Sequence, residues 1–376
     1  MRRFCLSLAA VAILSACITY HEVHKVGGPI YVQENMPSCE VPTLKLAIPT
    51  VGLFVGISNY QAKAGVFSTP AHGLSAGLFS DPFSRAAVRS PNDWFDTVSL
   101  ADVPKRVQEE GLPDPAGLLR QQTLGYSFSG DAVNRRQVME ALDSAIAMAE
   151  KKRVQQGQVL LVVYVSAHGW LDADGEPNLL PSDAAADQPA SWIRYREITD
   201  RLQSFLARNE GAADRRVIAF FDTCQVPHVR NAPGLALPPP PAGMTLVTST
   251  SPGQYAWHWT GATDISYSQQ VVSETRIGFG LPPPAKSGNF ERHFRQTMSV
   301  VPMAHRCSLK ELAPTLQAGQ VVTEAQWLTA LQAKAPEFLR DVREMRELGA
   351  HQEIVTHYGP SAGAAPLFVA VSTSTP

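Results

Sequence analysis

The chain has 376 residues, 44% of them apolar and 18% charged, and its 32 basic and 34 acidic side chains leave a net charge of −2. That apolar share is enough to bury a core, which excludes wholesale disorder, and the near-balanced charge argues against nucleic acid or an anionic lipid surface as the main partner, since both demand a basic excess. At about 150 residues per domain, the length allows two or three domains or one large α/β domain. The body of the chain contains no long internal repeat and no apolar run that spans a bilayer.

The N-terminus reads as an address. Arg2 and Arg3 precede an apolar stretch from Phe4 to Ala16, too short for a transmembrane helix and suited to a signal peptide. It ends in Leu14-Ser15-Ala16-Cys17, which resembles the lipobox of bacterial lipoproteins, where the Cys takes a diacylglycerol before cleavage in front of it. The resemblance implies that residues 1–16 are removed, that Cys17 carries the lipid, and that residues 17–45 form a polar tether. Ile18 rather than Asp follows the Cys, so the expected location is the cell envelope: an outer-membrane lipoprotein facing the periplasm or the surface, held by its lipid anchor. The plainer alternative is a secretory signal with a chance Cys. Once Cys5 is removed and Cys17 lipidated, Cys39, Cys224 and Cys307 remain. An odd number in an oxidising compartment leaves at least one thiol over, and a Cys39–Cys307 bridge with Cys224 free is one of the partitions.

Past the tether, apolar runs alternate with helical patterns. Val51 to Ser58 suits a strand buried on both faces. Residues 61–93, rich in Gly, Pro, Ser and Ala, read as a long loop or insertion, and Leu100 to Glu110 as a helix stopped by Gly111 and Pro113. Asn134 is an N-cap for a helix to Lys152, with Val138, Leu142, Ile146 and Ala149 on one face. Val159 to Val165 is a second buried strand, Arg196 to Arg208 an amphipathic helix, Arg216 to Phe221 a third strand and Thr245 to Thr248 a fourth. Thr323 to Arg346 reads as a core helix pair interrupted at Pro336. Strands separated by helices predict an α/β fold with a mainly parallel central sheet flanked by helices. In such sheets the chemistry sits beyond the carboxyl ends of the strands.

Two chemically active side chains stand at those ends. The second strand runs into Ser166-Ala167-His168-Gly169 and the third into Asp222-Thr223-Cys224-Gln225. If the strands are neighbours, His168 and Cys224 project into one crevice. A thiol is a weak nucleophile until an adjacent base or counter-ion makes it a thiolate. The amides of Gly169 and Cys224 are candidates for an oxyanion hole. The bland readings are a buried small Cys and a turn His; the pair at matching strand ends, with an acid two positions before the Cys, favours catalysis.

The set Val55-Gly-Ile-Ser-Asn-Tyr60, Ser166-Ala-His-Gly169, Leu179-Leu-Pro-Ser-Asp183, Asp222-Thr-Cys224 and Ser251-Pro-Gly-Gln-Tyr-Ala256 resembles the caspase-like cysteine peptidases, closest to their bacterial metacaspase-type and orthocaspase-type members. Over residues 46–275, with 276–376 as a C-terminal portion of the same domain, this resemblance implies a caspase-hemoglobinase-like α/β/α sandwich with a catalytic His168–Cys224 dyad. It also implies a substrate cleft that includes Ser251 and Tyr255, and an Asp222 that favours Arg or Lys at the P1 position of a protein or peptide substrate. The sequence departs from the family pattern at Ala167 and at Gln225-Val226-Pro227.

Two further segments have weaker readings. Asp172-Ala-Asp174-Gly175-Glu176 has the alternating carboxylates of a calcium loop but lacks its remaining ligands, so a surface turn is the plainer reading, with no metal or other cofactor expected. Arg230, in a Pro-rich stretch after the Cys, is a candidate for self-cleavage by an enzyme that prefers basic residues. The alternative function is a catalytically inactive lipoprotein using the same fold to bind a protein. A serine hydrolase is disfavoured, because no Gly-x-Ser-x-Gly elbow is present.

Overall fold

The computed structural model describes residues 39, 43–66, 71–102, 128–129, 132–208, 214–227, 237–265, 279–280, 292–312, 316–341 and 351–371. Arg2, Arg3, Cys17, most of the expected tether, and Arg230 lie outside them. In chain order the elements are β1 (Leu44–Leu46), β2 (Thr50–Gly56), α1 (Ala71–Ala87), β3 (Phe95–Asp102), β4 (Phe128–Ser129), α2 (Arg135–Gln156), β5 (Val159–Ser166), β6 (Gly169–Leu171), β7 (Pro177–Leu179) and β8 (Ile193–Arg194). They continue with α3 (Tyr195–Leu206), β9 (Arg215–Asp222), β10 (Val226–Pro227), β11 (Met244–Thr248), β12 (His258–Ile265), β13 (Phe279–Gly280), β14 (Arg292–Ser299) and α4 (Val300–Leu312). The last are β15 (Val321–Thr323), α5 (Glu324–Asp341), β16 (Val355–Tyr358) and β17 (Pro366–Ala370).

All eight residues of β5 are buried, which a strand achieves only with both sheet faces covered. Its side chains alternate between two cores. Leu160, Val162 and Tyr164 pack with residues of α1, α4 and α5, while Leu161, Val163 and Val165 pack with residues of α2 and α3. The main sheet has the order β16-β11-β9-β5-β2-β3-β4. Its pairs are parallel except the edge strand β16, which runs antiparallel to β11. Helix α2 starts at a capping box, in which the Asn134 side chain accepts from the Gln137 amide and the Gln137 side chain from the Asn134 amide, and stops at Gly157 in a left-handed conformation.

Several boundaries differ from the sequence reading. Residues 61–93 hold a seventeen-residue helix, α1. Its small residues allow close approach: a Cβ on Gly73 would lie 2.1 Å from the Asp102 carbonyl oxygen. The first residues of the expected helix, Leu100 to Asp102, lie in β3, where pairing with β2 outweighs local propensity, and 103–110 lie outside the described residues. The expected helix pair at Thr323 is one helix, α5, that continues through the exposed Pro336. Leu44 and Lys45 leave the tether for β1, which pairs with β17. Cys39 is bonded to Cys307 on α4, and Cys224 is buried and takes part in no disulfide.

Candidate active site

Backbone pairing places His168 beside Cys224. In the β5–β9 ladder Ser166 is opposite Asp222, and just beyond it β6 and β10 pair in parallel with Trp170 opposite Val226. His168 and Cys224 therefore stand midway between two registered positions on adjacent segments. Gly169 closes the gap: a Cβ there would lie 2.8 Å from the carbonyl oxygens of Cys224 and Asn178 and from the Thr223 Cβ. Both side chains are nearly covered, His168 being 7% and Cys224 5% exposed.

Each is held from outside its own strand. The His168 amide donates to the Tyr60 hydroxyl at 2.9 Å, and its carbonyl accepts from the Leu180 amide at 2.9 Å. Its ring contacts those of Tyr60 and His72, each with a centroid separation of 4.9 Å. The Cys224 Sγ accepts from the Ala256 amide at 3.4 Å. Segment 249–256 wraps the nucleophile loop. The Thr223 amide donates to Ser249 Oγ at 3.1 Å, and the Gln225 amide to the Gln254 carbonyl at 3.0 Å. The Gln225 carbonyl accepts from Gly253 at 2.6 Å, and the Gln225 side chain donates to the Thr250 carbonyl at 2.6 Å. With its amide so engaged, Gln225 offers no oxyanion donor.

Asp222 is fully buried at the end of β9, facing the α1 and α4 side of the sheet, and the Tyr164 hydroxyl donates to its Oδ2 at 2.5 Å. Burial pushes its carboxyl above the usual carboxylate range, against the opposing effect of hydroxyls from Ser299, Tyr164 and Ser249. Ser251 and Tyr255 lie farther along the same wrap. The Ser251 hydroxyl donates to Glu353 at 3.2 Å, and the Tyr255 ring stands 6.5 Å from that of Trp257. Trp257 is anchored on residues 351–352: its amide donates to Gln352 Oε1 and its indole to the His351 carbonyl.

The other motifs build the scaffold. Asp183 caps α2 by accepting from the Arg135 amide at 3.0 Å, and the Ser182 carbonyl accepts from Gln61, joining the β2 exit to that cap. Asp172 receives the amides of Asp174 and Glu176 on one carboxylate oxygen, while Gly175 at φ 83° turns the chain from β6 into β7. This is an Asx-type turn. Among the described residues, no group of three or more His, Cys, Asp or Glu side chains is arranged to hold a metal ion.

Two components escaped the sequence reading. His72 comes from α1, a helix not anticipated, and the Ala256 amide has no side-chain signature. Tyr60 was visible in its motif, but its hydroxyl contact is a tertiary one across 108 residues.

Residues 116–278 match the family model described as the caspase domain, a span that includes His168, Gly169, Asp222, Cys224, Ser251 and Tyr255 but not Tyr60 or His72. No curated protein sequence matches the chain. Among solved structures, caspase-1 from Spodoptera frugiperda is similar with a TM-score of 0.43 at 12% identity, over 92% of this chain and 100% of that one. The family match and the helix-flanked, mainly parallel sheet give a caspase-hemoglobinase-like α/β fold.

Proposed function

We propose that the protein is a caspase-like cysteine endopeptidase of the metacaspase or orthocaspase type that cuts after Arg or Lys. The observation that carries this reading is the register that brackets His168 and Cys224 between Ser166–Asp222 and Trp170–Val226. Cys224 Sγ attacks the scissile carbonyl carbon as His168 takes the thiol proton, and the carbonyl oxygen becomes an oxyanion held by the amides of Gly169 and Cys224. His168 returns the proton to the leaving amine, which departs with a free α-amino group. A water then gives its proton to His168 and its hydroxyl to the thioester, releasing the acid and restoring the thiol. Asp222 pairs with the P1 guanidinium or ammonium, and its low-dielectric surroundings strengthen that pairing. The chain encloses Asp222 completely, so a P1 side chain reaches it only when the groups that cover it move.

In the same reading Cys17 carries a lipid that holds the domain at the outer membrane. The Cys39–Cys307 disulfide supports an oxidising compartment. Labelling of the expressed protein with a radioactive fatty acid, lost in Cys17→Ala, tests the anchor.

The decisive experiment is hydrolysis of fluorogenic peptides differing only at P1 (Arg, Lys, Asp, Ala), with and without calcium, by the parent chain and by Cys224→Ala. Cleavage after Arg or Lys that vanishes in the variant is expected. Cleavage after Asp overturns the role of Asp222 and keeps the enzyme. Silence from folded, reduced protein overturns the peptidase reading in favour of a protein-binding module.

A further inference from the structure

Resting on the dyad proposed above, we infer that His72 is a positioning residue for His168. His72 is 1% exposed, in the first turn of α1, and meets the His168 ring edge to face at 79° with 4.9 Å between centroids. The same imidazole is fixed from its other chemical handle: Nδ1 lies 3.0 Å from the hydroxyl of Ser166, itself fully buried at the end of β5. Ser166 precedes His168 by two residues, so the strand that delivers His168 also orients the ring packed against it.

The first turn of α1 has little freedom to move away. The Gly73 amide donates to Ser58 Oγ at 2.8 Å, and a Cβ at Gly56 would meet the His72 carbonyl oxygen at 2.4 Å. Ser58 and Tyr60 both belong to the exit of β2, so one short segment pins α1 and contacts His168. A base must keep its ring aligned with the thiol it deprotonates, and an exposed imidazole rotates freely about χ1 and χ2. Here the backbone amide of His168 is held by Tyr60, and its ring rests on Tyr60 and His72.

The test combines kinetics on the P1-Arg peptide with the rate of Cys224 alkylation by iodoacetamide, in full-length protein checked for folding by thermal denaturation. Misplacing a catalytic group by about 1 Å costs about 100-fold, so His72→Ala is expected to lower kcat by about 10- to 100-fold with KM within about threefold. His72→Phe, which restores a ring but not the Ser166 contact, is expected to recover most of the loss. Alkylation is expected to slow in His72→Ala and recover in His72→Phe. An unchanged kcat in folded His72→Ala, or a loss shared equally by KM, overturns the assignment. If His72→Ala does not fold, His72→Leu, which removes the ring and keeps the bulk, decides: a kcat loss at constant KM supports the assignment, and parent kinetics overturn it. If the parent hydrolyses nothing, the peptidase reading fails on its own, and the alkylation rates of the same variants still decide whether His72 governs His168.

Discussion

His168 and Cys224 occupy equivalent places on two adjacent segments, each two residues beyond a paired strand position and two residues before the next. Their alignment is therefore set by backbone hydrogen bonds and survives side-chain motion. This places the weight of the site on Gly169, the residue that must lie flat against the Cys224 carbonyl.

Gly169→Ala inserts a Cβ 2.8 Å from two carbonyl oxygens and from the Thr223 Cβ, distances at which backbone must shift. Neither carbonyl belongs to a flexible side-chain end, so the β6–β10 pairing or the His168 loop gives way. We expect hydrolysis to fall about 100-fold or more, with a lowered thermal midpoint. A variant with parent kinetics would show that this contact does not set the dyad geometry.

Asp222 offers a separate handle on specificity. Its Oδ2 is taken by the Tyr164 hydroxyl, and its surroundings favour the neutral acid in the free chain. A cationic P1 group entering beside it reverses that preference by stabilising the carboxylate. Asp222→Asn keeps the shape and the Tyr164 contact but loses the charge. Losing one partner of a buried charge pair costs about 2–5 kcal/mol, or roughly 30- to 5000-fold in kcat/KM. That loss is expected on the P1-Arg peptide, with little change on P1-Ala. Equal losses on both peptides would sink the pocket assignment.

The parallel strands were legible because burial on both faces leaves an unbroken apolar run, as from Val159 to Val165. Cys224 and His168 were legible because they follow such runs directly. Helix α1 was not, since Gly73, Gly77, Pro82 and several serines look like loop chemistry until β2 is packed against them. His72 went unseen with its helix, and its link to Ser166 spans 94 residues of sequence. The end of β3, Leu100 to Asp102, falls within the expected helix because no local pattern reveals the pairing of this strand with β2. Asp183 was recognised as part of a motif, yet its partner, the Arg135 amide at the head of α2, lies 48 residues away.

The Cys39–Cys307 bridge closes a span of 268 residues and ties the segment before β1 to α4. Constraining the unfolded chain this way commonly contributes about 2–4 kcal/mol. Reductants needed to keep Cys224 as a thiol threaten this bond too, so the double variant Cys39→Ser, Cys307→Ser separates the two effects. It is expected to melt several degrees below the oxidised parent while retaining hydrolysis below its own midpoint. An unchanged midpoint under oxidising conditions would remove the bridge from the stability account.

The pH dependence of stability carries two opposing contributions from groups outside the dyad. His305 is fully buried among Phe79, Phe83 and Trp327, with its Nδ1 accepting from the Trp327 indole at 2.9 Å. Burial, aided by the charge of Arg306, lowers its pKa from 6.5 to about 3. The unfolded chain therefore binds the extra proton across that window, and the stability from neutral His305 is lost as pH falls from 6.5 toward 3. Asp102 behaves oppositely. It accepts from the amides of Ser58, Asn59 and Val133, but desolvation outweighs those bonds and raises its pKa from 3.8 to about 6. Here the folded chain holds the proton more tightly, so its contribution is full below 3.8 and is lost as pH rises through about 6. Between about pH 4 and 6 the two slopes oppose each other. Asp102→Asn is expected to lower stability, because its amide faces one of those donors, and to make stability rise more steeply with pH across this window. His305→Asn is expected to flatten or reverse the rise. Urea midpoints measured from pH 4 to 7 for the parent and both variants test this, and three parallel curves would show that neither buried group couples folding to protons.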